Sequence, residues 1–173
     1  MMGNLTSAAT LHLGLAMFCI VIGLVQLLRP KRGAGHRARG YAFVYAMLVT
    51  DGTALLLYRF TGQFNVLHVG AIANLICIVM AVVPMLRNPR PKNWKYQHYY
   101  WIAWSYVGLM SAAATQLVVR LGLPATHGQA WVVTLAATMA VSAIGYILIE
   151  RNRPNPEQGS APAGAIQHEG VPS

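Results

Sequence analysis

Histidine is the residue whose placement in this chain could do chemistry. His12 lies in Leu11-His12-Leu13-Gly14, and 56 residues later His68 lies in Leu67-His68-Val69-Gly70. Each stands about one turn inside an apolar run. His36 and His98 sit at or just before the start of the run that follows. Neutral imidazole is a good axial ligand for haem iron, and two of them on facing helices can clamp a porphyrin between them. Imidazole also binds zinc or copper, but a tetrahedral zinc site wants four ligands at one level. Paired histidines supply half of that set, and no cysteine or carboxylate stands beside them. Haem therefore fits the pattern better than structural zinc, and copper stays open.

The elements that must position these residues are membrane-crossing helices. Of 173 residues, 55% are hydrophobic and 10% charged, and the mean hydropathy is +0.45. A soluble domain carries roughly a quarter charged residues, so the shortfall points to lipid as the solvent. Cys19 and Cys77 both lie in apolar runs, cannot build a disulfide framework and read as small packing residues. No nucleophile–base pair, phosphate loop or paired-carboxylate site occurs, which argues against hydrolytic and phosphoryl-transfer chemistry. A net charge of +9 would suit nucleic acid in a soluble chain. Here the cations gather in short loops, so they report topology, and no nucleic-acid partner is expected.

A bilayer core of ~30 Å takes about 20 apolar residues to span. Five runs qualify: Ala8–Leu28, Gly40–Phe60, Val66–Leu86, Tyr99–Val119 and Trp131–Ile149. The first has no Lys or Arg before it and is long for a signal core, so it reads as a span. Eleven cations lie in the loops after spans one, three and five, against Arg59 and Arg120 on the other side. The positive-inside rule then places the N-terminus outside and the C-terminus in the cytoplasm. Trp94, Tyr96, Tyr99, Tyr100, Trp101 and Trp104 form an interfacial aromatic belt at the start of span four. Pro84 is expected to kink or end span three. The expected fold is an all-α polytopic membrane protein. Residues 1–150 form a five-span domain, with a histidine-bearing four-helix core over 8–120 and a fifth helix over 131–149. The tail, 151–173, is rich in Pro, Gly, Ala and Ser and is expected to be disordered. His127 and His168 fall outside the spans and read as solvated.

Spans one–two and three–four resemble each other as hairpins, each with a histidine near its start and another after a basic loop. Such a two-span repeat is parallel, related by an axis along the membrane normal. His12 and His68 then form an outer pair and His36 and His98 an inner pair. Helical spacing aligns His12 with Ala16, Cys19, Gly23 and Gln26, and His36 with Gly40, Phe43, Thr50 and Ala54. It aligns His98 with Ser105, Leu109, Ala112 and Gln116, and His68 with Ala71, Ile72, Leu75 and Ile78. Small residues on these faces suit close approach of another helix or of a flat cofactor. Asp51 is the one acidic residue inside a span. It could relay protons, pair with His12 or His68, or hydrogen-bond to a neighbouring helix as the acid.

His12 with Gly14, His36-Arg37-Ala38-Arg39-Gly40-Tyr41, His68, and His98 with Trp101, Ser105 and Tyr106 resemble the bacterial membrane family catalogued as "domain of unknown function 2306". The resemblance covers about residues 8–120 and implies a membrane fold in a bacterial inner membrane. The outer and inner pairs also look like the four-helix core of the ascorbate-reducible di-haem b-type cytochromes. That likeness implies haem b held by His12 and His68 at one level and by His36 and His98 at the other. Span two runs 24 residues from His36 to its outer end, ~36 Å at 1.5 Å per residue, so the two levels are expected nearly 30 Å apart. The function expected is electron transfer across or within the membrane, with quinone or another redox partner. The alternative is a non-redox protein that binds a metal or small ligand, or a structural subunit with no cofactor.

Overall fold

A computed structural model describes residues 2–56, 66–122 and 127–154, and the tail from 155 on lies outside the described residues. Five helices follow in order: α1 (Met2–Leu28), α2 (Gly33–Leu56), α3 (Val66–Leu86), α4 (Trp94–Arg120) and α5 (His127–Arg151). In lipid every backbone N–H and C=O must find a partner within the segment, which leaves the helix as the default for such runs. Four of the described helices (α1, α3, α4 and α5) are long and apolar enough to cross a membrane. The chain is thus an all-α polytopic membrane protein. α2 is less apolar because it carries Arg37, Arg39 and Asp51.

The breaks follow local chemistry. Pro30 stands in the α1–α2 turn, and Gly33 opens α2 with φ at +81°, a conformation only glycine adopts cheaply. Pro89 and Pro91 keep the α3–α4 connection out of helix. Gly122, with φ at +68°, closes α4 by donating its N–H to the Val119 carbonyl at 3.2 Å.

Several helices begin earlier than the apolar runs. α2 starts at Gly33, α4 at Trp94 and α5 at His127, so His127 opens a helix and does not lie in a loop. Hydropathy marks only the hydrocarbon layer, whereas a helix continues through the headgroup region where polar side chains stay wet. Pro84 does not end α3, which continues to Leu86. Sitting in the last turn, it withdraws the one N–H that would bond the Met80 carbonyl, and only two helical residues follow it.

α1 packs on α2, α2 on α3, α3 on α4, and α4 returns to α1, while α5 packs outside this ring on α4. α1 therefore stands diagonally across from α3, and α2 from α4. The central cluster takes Cys19 from α1, Phe43, Ala46 and Met47 from α2, Ile78 from α3 and Leu109 from α4. Large apolar side chains point outward: Leu13, Met17, Phe18, Val21 and Leu24 of α1 are all exposed, as suits lipid contact. At the basic end, Tyr99 donates its hydroxyl to the Ile149 carbonyl at 3.1 Å. Lys31 lies over the same ring at 5.0 Å, which ties α4, α5 and the α1–α2 turn together.

Candidate functional site

The four histidines lie on the two diagonals of the ring, His12 and His68 on α1 and α3, His36 and His98 on α2 and α4. Near one end of the bundle, His12 Nδ1 lies 2.9 Å from Thr53 Oγ1 and 3.2 Å from the Thr50 carbonyl. Thr53 already gives its own proton to that carbonyl at 2.8 Å. Nδ1 of His12 must then be the donor, which leaves Nε2 as the lone-pair nitrogen. His68, 5% exposed, faces the interior of the bundle.

Toward the basic end, His98 Nδ1 donates to the Ala81 carbonyl of α3 at 3.1 Å. A carbonyl can only accept, so His98 too keeps its lone pair on Nε2. His36 is held differently. Arg39 Nε donates to Gln26 Oε1 at 2.9 Å, which fixes the amide. The other end of that amide, Nε2, donates to His36 Nδ1 at 2.7 Å and to the His36 carbonyl at 2.9 Å. His36 therefore carries its proton on Nε2. Partial burial pushes its pKa below the ordinary imidazole value, and His98, Arg39 and Lys31 push it further down. His36 and His98 are thus within electrostatic reach of each other.

The two histidine levels stand closer together than the span length suggests. Thr50, the partner of His12, lies 14 residues beyond His36 on α2, about 21 Å at 1.5 Å per residue. His68 lies 13 residues before Ala81, the partner of His98, about 20 Å on the same rise. The expectation of nearly 30 Å counted to the end of span two, but His12 reaches α2 short of that end.

The α1 face is as expected: Cys19 and Gly23 are buried, and Gln26 reaches His36. The small-residue notch at Gly23 is taken by a helix. Tyr106 of α4 lies against Gly23, where an added Cβ would run into its ring, and Tyr106 Oη donates to the Ile20 carbonyl at 3.1 Å. On α3 the inward face differs from the expected one. It runs through His68, Ala71, Asn74, Ile78 and Ala81, while Ile72 is 43% exposed. Ala112 and Gln116 of α4 also face outward, so its buried face follows Ser105, Leu109, Ser111 and Thr115.

Asp51 is buried. Its Oδ2 accepts from Asn74 Nδ2 at 2.9 Å, across the α2–α3 contact. Sequence reasoning missed Asn74, although an amide in an otherwise apolar span is itself a signal. Among the described residues, no group of three or more His, Cys, Asp and Glu side chains is placed to hold a metal ion.

No curated protein and no solved structure matches this chain. The family described as Predicted membrane protein (DUF2306) matches residues 9–149. The match runs past the four-helix core and takes in α5, which the sequence resemblance left outside. The chain accordingly belongs to the DUF2306 family of predicted membrane proteins.

Proposed function

We propose that this is a b-type cytochrome-like protein that moves electrons across or within the membrane. The observation that carries the reading is the pairing of histidines on opposite diagonals, His12 with His68 and His36 with His98. In addition, His12 and His98 have Nδ1 tied to a backbone carbonyl or threonine hydroxyl. Such a bond on the far nitrogen orients an imidazole and leaves Nε2 to the metal. The donor set fits haem best at the outer level. At the inner level, His36 can join only if the Gln26 amide turns over and accepts from Nδ1. Bound haem iron would supply one-electron chemistry by cycling between its ferric and ferrous states. The protein's own part is to hold the imidazoles about 20 Å apart in two levels and to keep water out.

The eleven cations in the loops after spans one, three and five support an N-terminus outside and a C-terminus in the cytoplasm, in a bacterial inner membrane. Quinone or another redox protein would be the exchange partner. A second reading has its own support: His12, His36 and His98 all find protein hydrogen bonds, as polar packing residues or ligands of another transition metal would. A reduced-minus-oxidised spectrum with pyridine-haemochrome quantification separates the two. About two haems per chain, falling to about one in His68→Ala and in His98→Ala, is expected for paired axial ligation. No haem in a folded protein expressed with haem in excess sinks the cytochrome, and metal analysis of the same sample then tests the alternative.

A further inference from the structure

We propose that Gln26, pinned by Arg39, is a positioning residue: it keeps the proton of His36 on Nε2 and so holds the inner histidine pair below the outer pair in affinity for haem iron. The affinity half rests on the redox reading; the proton half stands apart from it. Gln26 lies in the last turn of α1 and His36 in the first turn of α2, so the short connection between the helices brings the two together. Arg39, three residues after His36, shares its face of α2. Its guanidinium folds back over Gly35, where an added Cβ would stand 3.1 Å from Nη1.

The Gln26 amide is fixed at both of its ends. Arg39 Nε can only donate, and it lies 2.9 Å from Oε1. The His36 carbonyl can only accept, and it lies 2.9 Å from Nε2. A turned amide would set N–H against N–H at Arg39 and oxygen against oxygen at the carbonyl. These two contacts decide the third: Gln26 Nε2 lies 2.7 Å from His36 Nδ1 and donates to it. Neither ring nitrogen of His36 then has a lone pair to offer, because Nδ1 has spent its own on Gln26 and Nε2 carries the proton.

His12 and His98 are held the opposite way, with Nδ1 donating and Nε2 left as the acceptor. The inner level therefore pairs a ready nitrogen on His98 with a blocked one on His36. For His36 to bind iron through Nε2, that N–H bond must break, its proton pass to solvent and a proton return to Nδ1. The Gln26 N–H must leave at the same time, and the charge-assisted bond from Arg39 is disturbed with it. Losing one such bond weakens an equilibrium by about tenfold. The outer level faces no such cost at His12.

The test uses the detergent-purified chain freed of haem. Nitrogen NMR at about pH 8.5, above the imidazole range, is expected to find His36 in the Nε2–H form. Gln26→Glu puts an acceptor-only group beside Nδ1 and keeps a partner for Arg39, so His36 is expected to switch to the Nδ1–H form. Titration with hemin is expected to show a tight and a weaker site in wild type, about tenfold or more apart. His36→Ala is expected to remove the weaker site, and Gln26→Glu to bring it up toward the tight one. Gln26→Leu, which neither donates nor accepts, is the second variant and should raise the weaker site by a smaller factor. An Nδ1–H form at His36 in wild type overturns the proposal. So does an Nε2–H form that persists in Gln26→Glu, or two equal sites that neither Gln26 variant alters. If no variant takes up hemin while the His36 signals switch as expected, the redox reading and the affinity half fall, and the positioning role of Gln26 stands.

Discussion

Tyr106 of α4 packs onto Gly23 of α1: the ring fills the space a side chain would occupy, and Phe43 packs against the same ring at 6.3 Å between centroids. This contact helps to close the ring of four helices, whose α1–α4 side is its most sparsely packed. Gly23→Ala is therefore expected to cost about 1–3 kcal/mol, the usual range for overpacking. Tyr106→Phe keeps the ring and loses only the bond to the Ile20 carbonyl, worth about 0.5–1.5 kcal/mol. Thermal unfolding in detergent should rank Gly23→Ala below Tyr106→Phe. The reverse order would mean that the hydroxyl, not the ring, holds the helices together.

Three histidines should show distinct proton positions. His12 and His98 donate through Nδ1 to acceptors, and His36 accepts at Nδ1 from Gln26. Nitrogen NMR of ¹⁵N-histidine protein should therefore find the Nδ1–H form at His12 and His98 and the Nε2–H form at His36, each assigned by mutation. Thr53→Val removes one of the two acceptors of His12 and should move the His12 signals alone. A Nδ1–H form at His36 in cofactor-free protein would show that Gln26 lies turned over.

His36 links the fold to pH. Burial, then His98, Arg39 and Lys31, hold its pKa below the ordinary 6.5. The unfolded chain thus takes up the proton first as pH falls. The stability this histidine contributes is complete above 6.5 and is lost as pH drops through the lower folded value. A protonated Nδ1 would also face the Gln26 N–H, donor against donor. Melting temperature should decline on acidification below about 6.5, and His36→Gln should flatten that decline. An unchanged slope in His36→Gln would assign the acid sensitivity to another group.

How much of this could be read from the residues depends on the contrast along each helix. α1 alternates large aliphatics with His12, Cys19, Gly23 and Gln26, so its inward face was plain. α3 is apolar all round, its periodicity marks no face, and the expected stripe through Ile72 and Leu75 drifted away from the real one through Asn74. The pairing of histidines by depth followed from topology, but their partners did not. Thr50, Thr53 and the Ala81 carbonyl lie 38, 41 and 17 residues from the histidines they serve, and no local pattern encodes such distances. Asp51 advertised itself as a charge in a span. Its partner could have been guessed only by treating Asn74 as equally out of place.

The last contact concerns α5, which, among the described residues, packs on the four-helix ring chiefly through α4. An added Cβ at Gly145 would collide with Val107, whose side chain is buried against it. Helices in lipid gain little from apolar burial, so close packing at small residues carries much of their association. Gly145→Ala should then loosen α5, at a cost of about 1–3 kcal/mol. Val107→Ala opens the facing side, and in the double variant the collision disappears, so the two effects should be strongly non-additive. The measurement is a double-mutant cycle on unfolding in detergent, with protease sensitivity between α4 and α5 as a second readout. Additive losses would mean that Gly145 and Val107 do not meet and that α5 is held mainly at its other end, where Tyr99 bonds the Ile149 carbonyl.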